Sequence, residues 1–236
     1  MHTSRPSHPW RTGLTAGIIT LLSSCETSQS DPGLEVFTLP STKAALASAF
    51  QYSDPKAFRI TDDQELELFQ PSKYRAKVRS PHCIALIDGV EFGDFTLEAE
   101  LQQRSTHSSK HRDLCLFFGV EDATNFYYVH MAIAADPHAH NVFRVDDKPR
   151  IAIATKTTKG VDWGRNQWHK IKLERRLADG SIRVYFDDMD TPIMEATDKA
   201  FGRGLVGFGS FDDVGRYRNI KIYSSDRNST DRQIFR

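Results

Sequence analysis

Between residues 168 and 222 the chain alternates hydrophobic and polar positions in runs. Ile171 and Leu173 alternate with Lys170, Lys172 and Glu174, and Ile182, Val184 and Phe186 alternate with Arg183, Tyr185 and Asp187, the two-residue period of strands that bury one face. Asp179-Gly180 between them supplies the positive φ values of a tight hairpin turn. Phe95, Leu97, Ala99 and Leu101 repeat the pattern against Thr96, Glu98, Glu100 and Gln102. Residues 114–120 and 126–133 are apolar on both faces, which predicts central strands, either covered on both sides or lining a ligand-binding face. Shorter strand signals fall at 58–60, 65–69, 84–87, 142–145 and 151–155, separated by Asp, Gly, Pro and Ser clusters. No long amphipathic helix lies between them, which argues against parallel βαβ architecture. The pattern predicts an all-β, antiparallel β-sandwich over residues 50–224. Ser41-Thr42 ahead of the Ala-rich stretch 43–50 reads as a capped short helix, and 225–236 as a polar, frayed tail.

Composition narrows the function classes. With 236 residues, 39% of them hydrophobic and 11% aromatic, the chain can bury a full core in one domain. Lys+Arg and Asp+Glu are equal at 31 each, so no net field draws a polyanion, and nucleic acid is set aside as a partner. At the N-terminus, Arg5 and Arg11 precede an apolar run from 13 to 22 and then Leu22-Ser23-Ser24-Cys25. That run is too short to span a bilayer and has the length of a secretory h-region. Leu-Ser-Ser-Cys resembles the lipobox of bacterial lipoproteins, which implies a signal peptide over 1–24 and lipidation at Cys25. Residues 25–49 then hold the anchor, a flexible spacer and the short helix. The resemblance implies a cell-envelope protein tethered through acyl chains alone, at the outer membrane or in the periplasm of a Gram-negative-type bacterium. Cys83 and Cys115 are left either to pair as a disulfide or to pack separately as small hydrophobes.

Four motifs carry a family resemblance: Phe-Gly-Asp-Phe-Thr-Leu-Glu-Ala-Glu at 92–100, Trp-His-Lys-Ile-Lys-Leu at 168–173, Gly-Leu-Val-Gly-Phe-Gly-Ser-Phe-Asp-Asp at 204–213, and Tyr-Arg-Asn-Ile-Lys-Ile at 217–222. On these the chain resembles the concanavalin A-like lectin/glucanase superfamily. It is similar within it to laminin-G-like domains and to the 3-keto-disaccharide hydrolase domain of bacterial envelope proteins. The resemblance implies a jelly roll of two curved sheets whose concave face receives sugars. The Glu-x-Asp-x-x-Glu strand motif of the laminarinase type is missing, and Glu98 and Glu100 read as solvated outer-face residues.

The segment from 127 to 150 is the richest in chemistry. Tyr128 and His130 share a face of an expected central strand, and Arg144 and Arg150 lie on the strands that follow. Polar and aromatic side chains there are costly in a core and natural on a sugar platform. His138 and His140 add hydrogen-bonding or metal-ligating imidazoles, the latter chemistry with His130 or Asp136. His130, Asp136 and Asp146 are the candidate acid/base residues should the chain be catalytic. Trp163 is either a lid on the binding face or a plug at the sandwich end. Asp212 and Asp213 are candidate ligands for the structural Ca²⁺ that the superfamily resemblance implies. The favoured expectation is a non-catalytic, lectin-like module that binds a glycan or glycoconjugate on its concave face. A glycoside hydrolase of the 3-keto-disaccharide type and a structural or adhesive envelope protein stand as alternatives.

Overall fold

A computed structural model describes residues 1–2 and 34–235 of the chain. The expected signal peptide, Cys25 and most of the spacer lie outside the described residues.

Two antiparallel sheets face each other. One runs, edge to edge, Ala154–Thr157, Met194–Thr197, Ser181–Phe186, His169–Arg175, Phe95–Gln103, Gly215–Ser224, Leu66–Leu68 and Phe58–Ile60, with Glu35–Thr38 also pairing on Gly215–Ser224. The other runs Ile151–Ala152, Asn141–Asp146, Asn125–Ala132, Asp113–Asp122, Leu205–Ser210, Cys83–Ile87 and Phe50–Tyr52. Sequence neighbours are repeatedly parted by strands from elsewhere: Phe95–Gln103 sits between His169–Arg175 and Gly215–Ser224. The result is the jelly-roll β-sandwich that the alternation predicts.

The alternating residues do what their period demands. Phe95, Leu97, Ala99 and Leu101 turn inward with Ile171, Leu173, Ile182 and Val184. They meet Leu114, Leu116, Phe118, Tyr127, Val129 and Met131 from the opposite sheet, all at most 4% exposed. Arg175 is an inward exception, 2% exposed, and donates to the backbone oxygens of Gly180, Asp198 and Phe201, so its charge is buried with its donors matched. In the hairpin only Gly180 takes a positive φ, +80, and the loop spans 177–180 between the paired Arg176 and Ser181, wider than the tight Asp-Gly turn the pattern predicts. The helix forms at Lys43–Ala47, with Thr42 Oγ1 accepting from the Ala45 N–H and Leu46 buried. The spacer is shorter than its composition suggests, because Glu35–Thr38 is recruited as an edge strand by the Gly215–Ser224 backbone.

The second face of the Asp113–Asp122 sheet differs from the expected open hollow. Ile84, Leu86, Cys115, Phe117, Phe126, Tyr128, Phe143, Val145 and Leu205 form a second hydrophobic cluster there. Val78, Phe211, Ile234 and Phe235 pack over it. The C-terminal tail is therefore structural: Arg227–Ser229 pairs with Val90–Phe92, the Ile234 N–H donates to Gln51 Oε1 (2.7 Å), and Phe235 meets Tyr74 edge-on at 5.4 Å. Polar composition hid this, since only two hydrophobic residues of the tail carry the cover.

Candidate functional site

At one end of this same sheet the apolar cover stops and a cavity of about 610 Å³ opens. Several loops converge on it because strand ends in an antiparallel sheet gather at the same edge. Asp113 begins one central strand and His130 lies near the end of its neighbour. Phe211, Asp212 and Asp213 follow Leu205–Ser210, Arg79 and His82 precede Cys83–Ile87, and His107, Ser109 and His111 come from the 104–112 connection. His138 and Arg150 flank Asn141–Asp146.

The floor is built on Asp113, 2% exposed. Its Oδ1 accepts from Ser210 Oγ at 2.7 Å and, more weakly, from Cys115 Sγ at 3.5 Å, while its backbone N–H donates to Asp213 Oδ2 at 2.7 Å. Asp213 Oδ1 faces His107 Nε2 at 2.5 Å. The Ser109 N–H donates to His107 Nδ1, which leaves the ring proton on Nε2 to donate to Asp213. Burial first, and the neighbouring Asp113 charge second, push the Asp213 carboxyl above its usual range despite those donors. His130 is 3% exposed. Its Nε2 lies 2.8 Å from Asp113 Oδ2 yet off the direction a ring N–H would need, so that neither ring nitrogen has a hydrogen-bond partner among the described residues. One wall is Arg150, whose guanidinium stands 4.3 Å over the Phe211 ring and 5.0 Å over Phe143. Arg150 Nη2 donates to the His138 carbonyl at 2.7 Å, and Nη1 is buried without a partner among the described residues. At the rim, His111 Nε2 bonds Asp136 Oδ2, and Asp136 Oδ1 accepts the His138 N–H at 2.7 Å. Desolvation opposes these bonds, but they win and hold the Asp136 carboxyl below its usual range.

Of the residues expected to bind ligand, the cavity brings together His130, His138 and Arg150. Four others lie elsewhere. Tyr128 is fully buried, stacked against Phe143 at 5.1 Å and Phe117 at 6.0 Å, because the face it occupies is filled. Arg144 donates through Nη1 to Asp198 Oδ2 at 2.7 Å, in the same network that Tyr127 Oη joins. His140 is fully buried, with Nε2 2.9 Å from Thr158 Oγ1, and burial pushes its pKa down to about 4. Trp163 is the plug: fully buried, its Nε1–H donates to the Met131 carbonyl at 3.2 Å. Among the acid/base candidates, Asp136 belongs to the rim, whereas exposed Asp146 only approaches Arg144 at 3.9 Å. Asp212 lines the cavity, and calcium does not fit Asp213 beside it. Both Asp213 oxygens are already taken by His107 and the Asp113 N–H, while a calcium ion needs six to eight oxygen ligands. Cys83 and Cys115 are both buried free thiols, so the separate-packing alternative holds.

Sequence reasoning missed Arg79, His82, His107, His111, Asp113 and Phe211. One signal was present: five of the chain's nine histidines line this cavity, and four of them, His82, His107, His111 and His138, sit in Ser- or Pro-bearing connections, where binding residues concentrate.

No protein-family model matches the sequence, and no curated protein does. Solved structures share the fold. The carbohydrate-binding module CBM66 from Bacillus subtilis is 18% identical, with a TM-score of 0.55 over 73% of this chain and 94% of that one. A Bacillus subtilis protein of unknown function with a galectin-like fold is 14% identical, with a TM-score of 0.54 over 78% and 92%. Metal-free lectin I-B4 from Griffonia simplicifolia is 11% identical, with a TM-score of 0.54 over 82% and 99%.

Proposed function

We propose that the cavity at the sheet end is a carbohydrate-binding site and that the chain is a lectin-like module. The observation that carries this reading is a pair of buried polar groups held ready for a ligand: the His130 ring and Arg150 Nη1 have no partner among the described residues. An unmatched buried donor or acceptor costs about 1–3 kcal/mol, and a polyol restores the loss with its hydroxyls. Phe211, held beneath the Arg150 guanidinium, offers the apolar surface that a sugar ring's C–H face packs on. Similarity of fold to a carbohydrate-binding module and a lectin supports the same class.

The test is a glycan-array screen of the full chain, followed by calorimetry on the hits and a search for released sugar. Binding without turnover, lost in Arg150→Ala and His130→Ala but kept in Arg144→Ala, is the expected result. A folded chain that binds no glycan, or whose binding follows Arg144, overturns the site. Released reducing or oxidised sugar overturns the non-catalytic reading in favour of the hydrolase alternative.

The envelope setting belongs to the same proposal. Leu22-Ser23-Ser24-Cys25 supports lipidation at Cys25, which would tether the module to a membrane surface facing the periplasm. Incorporation of a labelled fatty acid that disappears in Cys25→Ala is the expected outcome, and label that persists in that variant overturns it.

A further inference from the structure

We infer that the floor of the cavity is a site for a thiolate-binding divalent transition metal of the zinc type, held by Asp113, Cys115 and His130. It goes beyond sugar binding and does not require it. Strand geometry makes the site. Cys115 and His130 are direct cross-strand partners, and Asp113 lies two residues before Cys115 on the same strand face. One oxygen of Asp113, the sulfur of Cys115 and one nitrogen of His130 lie within 4.8 Å of one another, and all three residues are buried. A tetrahedral shell with bonds of about 2.0–2.3 Å sets its ligand atoms roughly 3.3–3.8 Å apart. Closing the triad thus asks for side-chain movements on the order of 1 Å, with His130 Nε2 and Asp113 Oδ2, now 2.8 Å apart, opening to admit the ion.

Three further facts favour a metal over a filled core. His130, 3% exposed and lining the cavity, has no hydrogen-bond partner for either nitrogen among the described residues, so its lone pair is free to ligate. Asp113 Oδ1 is fixed by Ser210 Oγ at 2.7 Å, which orients the carboxylate and leaves Oδ2 for the ion, as outer-shell hydrogen bonds do in metal sites. The charges close as well: one thiolate and one carboxylate neutralise a divalent cation, with the imidazole neutral, so the ion and its three ligands together carry no net charge. On binding, the Cys115 S–H bond breaks, its electron pair forms the sulfur–metal bond and the proton leaves to solvent. A sulfur, nitrogen and oxygen donor set suits zinc or cobalt and disfavours calcium and magnesium. The fourth position faces the cavity, because Asp113 and His130 both line it.

The experiment titrates Co²⁺, and separately Zn²⁺, into the full chain without any sugar. One equivalent of Co²⁺ producing a near-ultraviolet thiolate-to-cobalt band is expected. Cys115→Ser should abolish that band, and His130→Gln should weaken binding by more than about a hundredfold, since even outer-shell substitutions cost ten- to a hundredfold. Because Cys115→Ser alters a buried position, X-ray absorption on the wild-type zinc adduct gives a check without a variant. It should find one sulfur at about 2.3 Å with nitrogen or oxygen neighbours. An all-nitrogen/oxygen shell, a thiolate band that survives Cys115→Ser, or binding that ignores His130→Gln and follows the rim residue His111→Gln overturns the inference. A chain that binds glycans but no metal defeats this inference alone, and one that binds metal but no glycan defeats only the sugar reading.

Discussion

The outer face of the seven-stranded sheet has two halves of opposite character built from the same strands. In the middle, Tyr128 stacks between Phe117 and Phe143 with Phe211 edge-on at 6.2 Å, inside the cluster against which the tail residues Ile234 and Phe235 also pack. At the end, one step further along those strands, Asp113, His130 and Arg150 surround an open cavity. Tyr128 and His130 are two residues apart and point the same way, yet one is core and the other lines the cavity. A period of two tells which side of a sheet a residue faces. It does not tell what lies over that side.

Substitution in the middle should give the largest effect. Tyr128→Ala should destabilise the chain by about 3–5 kcal/mol, the usual cost of emptying an aromatic core position, as read by urea denaturation. Glycan affinity per folded molecule should stay within about twofold; a tenfold loss at intact stability would return Tyr128 to the binding surface.

Acid should destabilise the chain through the buried His140 by a similar amount. Burial lowers the His140 pKa from 6.5 to about 4. Between those values the unfolded chain takes up a proton that the folded chain refuses, so stability is intact above about pH 6.5 and falls as pH drops toward 4. At about 1.4 kcal/mol per unit the loss is roughly 3 kcal/mol. Urea midpoints should show that slope in the wild type and a flatter one in His140→Gln, and equal slopes would count against the assignment.

At the open end, Arg150→Lys keeps the charge but loses the planar stack on Phe211 and the fork of donors. Glycan affinity should drop about tenfold, or 1.4 kcal/mol, with stability changed by less than that. The smallest effect should belong to Tyr128→Phe. Its hydroxyl is buried without a partner among the described residues, so removing it should leave stability level or raise it by up to about 1 kcal/mol. A clear destabilisation would reveal a partner for that hydroxyl.

Legibility in the sequence follows from how local each cause is. Strands such as 58–60 and 182–186, the hairpin at Asp179-Gly180 and the cap at Thr42 were readable because side-chain alternation, turn dihedrals and capping bonds act within a few residues. His130, His138 and Arg150, which the structure brings to one cavity, were readable as a group because polar residues cluster beside apolar strands. Asp113 was not, since at the margin of an apolar strand nothing local distinguishes a buried carboxylate from a solvated strand end. The structured tail is not legible locally because Ile234 and Phe235 are isolated hydrophobes among polar residues, and their docking surface is assembled from strands distant in the sequence.

By itself, then, the sequence determined that the chain is a two-layer antiparallel sandwich, since each strand carries its own buried stripe. Only the tertiary structure decided where that sandwich stays open. The tail and the 71–80 segment cover the middle of one face through long-range contacts, and the polar side chains at its end, brought in from five separate connections, are left to line the cavity.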